Sequence, residues 1–107
     1  MTAHQRTVTD NFETGMSLIA AERRRQVEVE GYGADHDRDE VSESLVRAAV
    51  CYATPAYRRV MLGRRAPIDW PWEADYWKPT PDDRVRELVK AGALIAAEID
   101  RLGAASR

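Results

Sequence analysis

Apolar residues recur at helical intervals in three long stretches of the chain. From about Thr9 to Glu30, Phe12, Met16, Ile19, Ala20 and Val27 share one face, and Gly31 supplies a stop. From about Arg38 to Ala53, Val41, Leu45, Ala48, Ala49 and Tyr52 form a second stripe, with Val46 and Val50 on the other side. That spacing predicts a helix whose C-terminal half is buried all round. The last stretch opens at Thr80-Pro81 and carries Val85, Leu88, Val89, Gly92, Ile95, Ile99 and Leu102 on one broad face before Gly103. Asp82 and Asp83 place negative charge on its first turn. Leu94 points away from the broad face and predicts a second packing surface, such as a homo-oligomer contact through the last helix. Thr54-Pro55 predicts a further, short helix ended by Gly63, since threonine and proline suit the N-cap and first helical position. No stretch alternates with period two. The prediction is an all-α, single-domain bundle of three long-to-medium helices plus one short helix, with frayed ends at residues 1–8 and 104–107.

Polar residues break the first stripe. Beyond Ile19 it continues through Arg23, Gln26 and Glu30, so inward positions become charged or polar. Such groups are costly in a core unless paired. One reading is a structural ion pair, Arg23 with an acid of the last helix such as Asp83 or Glu87, and Gln26 on a loop carbonyl. The other is a polar pocket with Arg23, Gln26 and Glu30 on its wall, as perturbed ionisable groups gather at functional sites. The loop Gly31–Glu40 follows, with Asp35, His36, Asp37, Asp39 and Glu40. Its spacing starts like a calcium loop, but glutamate stands at position 40 where glycine is required and Val46 where the closing acid is required. No metal site is predicted, and His36 reads as a loop hydrogen-bonder and a candidate ligand-binding residue.

Between the short and last helices lies "DWPWEADYWKP", Asp69 to Pro79, holding all three tryptophans. Its prolines rule out a regular helix or strand. Trp70, Trp72, Tyr76 and Trp77 either plug a small helical core or, beside Arg23, form a surface for stacking a planar ring.

Composition narrows the possibilities. A length of 107 residues suits one domain, and a net charge of −2 argues against general nucleic-acid binding. Arginines do cluster locally, at Arg23 to Arg25 and at Arg58, Arg59, Arg64 and Arg65. The lone Cys51 sits in an apolar helical stretch and reads as a small buried hydrophobe, not a reactive thiol. No basic-then-apolar leader opens the chain, and its longest weakly polar run, Ala91 to Ile99, is too short to span a bilayer. A cytoplasmic protein without membrane contact is expected.

The segments "AERRRQVEVEGY", "HD", "AAVCYA", "WPWEADYWKP" and "RELVKAGALIAAEIDRL" together resemble a group of short phage and prophage proteins of unassigned function. The likeness runs from about Ile19 to Leu102 and implies a phage-type accessory protein acting in the host cytoplasm. A second likeness is to the ryanodine-receptor repeat module, through Gly31-Tyr32, the Trp70–Pro79 loop and Asp83-Arg84. Here tyrosine replaces the usual tryptophan of the turn, and the closing "GY" is absent. That likeness implies a nucleotide-derived ligand.

Three functions follow from these readings. The first is a non-catalytic, cofactor-free binding module for a small anionic or nucleotide-like ligand. In it Arg23 supplies charge, Gln26 and Glu30 supply hydrogen bonds, and the tryptophans supply a stacking platform. The second is a protein–protein inhibitor of a host factor, using Leu94 and the arginine-rich short helix. The third is a magnesium-dependent, all-α nucleotide pyrophosphohydrolase built on Glu22, Glu28, Glu30, Glu40 and Glu43. It is disfavoured because Glu22 and Glu28 face apart and the second helix carries no E-x-x-E or E-x-x-D pair.

Overall fold

The computed structural model describes residues 3–29 and 43–105. Among the described residues three α-helices dominate: α1 (Ala3–Glu28), α2 (Ser44–Ala53) and α3 (Arg84–Ala105). A two-stranded antiparallel ribbon, β1 (Met61–Leu62) and β2 (Ala66–Pro67), and two 3₁₀ turns, Ala56–Arg58 and Ala74–Tyr76, fill the link between α2 and α3. The protein is therefore mainly helical, but not all-α. The predicted start of the second helix, Arg38 to Ser42, lies outside the described residues, as do Glu30, His36, the rest of the acidic loop and the side chain of Phe12.

The predicted short helix from Thr54 to Gly63 does not form. Thr54 closes α2 instead: its backbone N–H and its hydroxyl both donate to the Val50 carbonyl, at 2.9 and 2.7 Å. Pro55 then takes an extended conformation, as proline commonly does just past a helix end. Gly63, at φ +64°, turns the chain so that Leu62 pairs with Ala66 and Met61 with Pro67.

The last helix also starts later than predicted. Thr80 to Asp83 is a turn, with the Asp83 N–H donating to the Thr80 carbonyl at 2.8 Å. Asp83 is the N-cap, its carboxylate accepting from the Arg86 N–H at 3.0 Å. Gly103 lies within α3, not beyond it.

α3 is the middle helix, packing on both α1 and α2. The face it turns inward is not the one with the largest residues. Ala91, Ala93, Leu94 and Ala97 are buried with Leu45, Ala48, Ala49 and Tyr52. Leu94, predicted to point away, is only 2% exposed. From the predicted face Val89 is buried, whereas Val85, Leu88, Ile95, Ile99 and Leu102 are exposed. The reason is steric. A helix flanked on two sides needs small residues at its seams, and a β-carbon on Gly92 would stand 2.8 Å from Ile19 Cδ1 of α1. Val46 and Val50 of α2 are exposed as well, so that helix is buried on one face and not all round. Among the described residues, no helix is long and apolar enough to cross a membrane.

Candidate functional site

Two buried carboxylates organise the polar interior. Glu22, on α1, is 2% exposed and is gripped from two helices. Arg25 holds both its oxygens at 2.8 Å through Nε and Nη2, and Arg86 of α3 reaches Oε1 at 2.7 Å. Burial pushes this carboxyl up. The hydrogen bonds from Arg25, the charges of Arg86 and Arg25, and the hydrogen bond from Gln26 outweigh it and hold the group below its ordinary value. Glu87, on α3, meets Arg59 at 2.9 Å, Arg84 at 3.3 Å and the Thr80 N–H at 3.1 Å.

Gln26 lies one turn beyond Glu22 and is 3% exposed. Its Nε2 donates to Glu22 Oε2 at 3.1 Å, while its Oε1 has no hydrogen-bond partner among the described residues. Flipping the amide would set an oxygen against the carboxylate, so the orientation is fixed by its neighbour. The orphaned acceptor asks for a donor from outside the described residues.

The aromatic loop covers this end of α1. Trp77 lies 4.6 Å from Tyr52 and 5.0 Å from Trp70 between ring centres, and Trp72 stands edge-on to Trp70 at 5.3 Å. Trp70 donates its indole N–H to the Glu73 carbonyl at 3.0 Å. Tyr52 anchors the loop from α2, its hydroxyl accepting from the Lys78 N–H at 3.1 Å. Lys90 of α3 donates to the Lys78 carbonyl at 2.7 Å, with its ammonium 5.3 Å from the centre of the Tyr52 ring. Arg59 binds the Cys51 carbonyl at 3.0 Å and sits 5.0 Å from the centre of the Trp77 ring. Arg84 caps the end of α2, donating to the Tyr52 carbonyl at 2.8 Å and to the Ala53 carbonyl.

Trp70 and Trp72 stand between two hollows. On one side is a polar cavity of about 20 Å³, lined by Glu22, Gln26, Tyr52, Tyr76 and Lys90 with both tryptophans. Arg25 and Lys78 complete its wall. That volume is enough for one water molecule. On the other side is an open cleft of about 570 Å³ between the ribbon and the loop, lined by Arg65, Pro67, Ile68, Glu73 and Asp75 with the same tryptophans. Its size is in the range of small-molecule pockets.

Of the residues singled out in the sequence, Gln26, Trp70, Trp72 and Tyr76 come together here. Trp77 is packed in the core. Arg23 stands apart, facing Asp100 of α3 at 3.5 Å, so its acid on the last helix is neither Asp83 nor Glu87. Glu30 and His36 lie outside the described residues. Sequence reasoning missed Glu22, Arg25, Tyr52, Lys78 and Lys90 as wall residues. Tyr52 gave a signal as the last member of the α2 stripe; Lys90, between Val89 and Ala91, gave a weaker one. Among the described residues, no group of three or more His, Cys, Asp and Glu could hold a metal ion. The Cys51 thiol is buried, and that burial, aided by Asp69, raises its pKa. Compared with protein-family models, curated proteins and solved structures, the chain finds no match.

Proposed function

We propose that this chain is a non-catalytic binding module for a small, planar, nucleotide-like ligand carrying an anionic group. In the phage setting that the sequence resemblance implies, it sequesters a host signal. The observation that carries the reading is the open cleft of about 570 Å³ walled by Trp70 and Trp72. A planar ring in the wider cleft stacks on Trp72, the half-buried member of the pair, while the one-water cavity behind the tryptophans serves Gln26. On the cleft wall an anionic substituent pairs with Arg65 and is kept away from Glu73 and Asp75.

Titration of tryptophan fluorescence with a panel of linear and cyclic nucleotides tests this. A saturable change is expected, weakened about tenfold or more by Trp72→Ala, the scale of one lost base–aromatic stack of ~1–3 kcal/mol. A flat response to every nucleotide, or a response that Trp72→Ala leaves intact, overturns it.

A second reading rests on the ribbon. Tyr57, Val60, Leu62 and Ile68 are exposed beside Arg58, Arg64 and Arg65, a surface that suits an acidic protein partner. If blocking a host protein is the activity, the ribbon carries it and Trp72→Ala leaves it unchanged.

A further inference from the structure

The outward face of α3 is the largest feature that neither reading uses. Val85, Leu88, Ile95, Ile99 and Leu102, with Gly92 at the edge of the face where Ile19 of α1 packs, follow one another at steps of three and four, the spacing of a helix–helix seam. No charged residue interrupts the series. Apart from Gly92, its members are 48 to 64% exposed, although α3 is the central helix of the fold. Met16 of α1, 61% exposed, extends the stripe one turn from Ile19, which packs on Gly92. Such a face on a middle helix is unusual for a monomer.

We infer that this face binds a second copy of the chain, α3 against α3 about a twofold axis. The spacing is its own reverse: in an antiparallel pair Val85 meets the partner's Leu102, and Leu88 meets the partner's Ile99, with Ile95 beside the axis. At their fractional exposures the five large α3 side chains present on the order of 500 Å² of apolar surface. A standard interface of roughly 800 Å² per partner, about 55–65% apolar, needs that amount. The ligand site is not blocked, because Trp70 and Trp77 pack with Leu94 and Ala97 on the inward side of the same helix.

Sedimentation velocity on the full chain at micromolar concentration tests the inference. A species of twice 12.1 kDa is expected for the unmodified protein. Ile95→Lys and Ile99→Lys should each give a monomer with unchanged helical circular dichroism, while Tyr57→Lys in the 3₁₀ turn after α2 stays dimeric. A monomer at every concentration, or a dimer that survives both α3 substitutions, overturns it. Should the lysine variants fail to fold, Ile95→Cys with a short bismaleimide gives the answer: cross-linked dimer supports the twofold seam, and its absence overturns it. Since Trp72 is not part of the seam, loss of nucleotide binding and loss of the dimer are separate results.

Discussion

Glu22 keeps its charge with almost no contact with water because two guanidiniums and one amide surround it. Its folded pKa lies below the ordinary 4.5, so its ionised form favours the folded state. That stability is fully present above pH 4.5 and is lost as pH falls through the folded value. Glu98, held low mainly by its hydrogen bond from Arg101, acts in the same direction. The urea midpoint should therefore stay level near neutrality and drop in acid. Glu22→Gln should lower the midpoint at pH 7 by about 1–3 kcal/mol in stability and remove part of the acid slope, leaving the share of Glu98. An acid slope identical to that of the unmodified protein would refute the assignment. At this scale the sequence showed that α1 turns polar where it should be apolar, and Gln26 was found that way. Glu22 was hidden because it lies off the Ile19 stripe, on an adjoining strip of the same helix that meets Arg86 of α3 and borders the aromatic loop.

Gly92 sets how α1 and α3 meet. Glycine in mid-helix costs about 1 kcal/mol against alanine, so replacement should help unless the space is needed. The obstructing atom is the mobile end of Ile19, 2.8 Å from the added carbon. Gly92→Ala should thus be close to neutral in thermal melting, the helix gain offset by a small shift of Ile19. Gly92→Leu cannot be absorbed in this way and should cost about 1–3 kcal/mol. A leucine variant as stable as the parent would mean that the helices do not cross there. The existence of α1, α2 and α3 was legible from apolar spacing, yet the inward face of α3 was not. Counting large apolar residues selects Leu88, Ile95 and Ile99, but the seams on both sides of a central helix select alanine. The ribbon was missed because Thr54-Pro55 reads equally as the end of one helix or the start of another.

For the molecule as a whole, Arg59 is the tie between parts distant in sequence. It joins the carbonyl end of α2, Glu87 of α3 and the Trp77 ring, with 4% of its side chain exposed. Arg59→Met strands Glu87 without its closest guanidinium and should cost about 3–5 kcal/mol by chemical denaturation. Arg59→Lys should recover little, since an ammonium cannot reproduce the planar fork. Full recovery by lysine would show that charge alone matters. The loop that Arg59 fastens was visible in the sequence as a cluster of rings. Which rings pack and which line a hollow depended on Tyr52 and Lys90, contributed by two other helices. Gathering every tryptophan into that one loop has an optical consequence. The intrinsic emission of the protein reports from a single neighbourhood, on the inward side of α3. Dilution that separates two copies changes mass and leaves colour untouched; a guest beside Trp72 changes colour and leaves mass almost untouched. Two instruments thus read the two faces of one helix independently, with no label added.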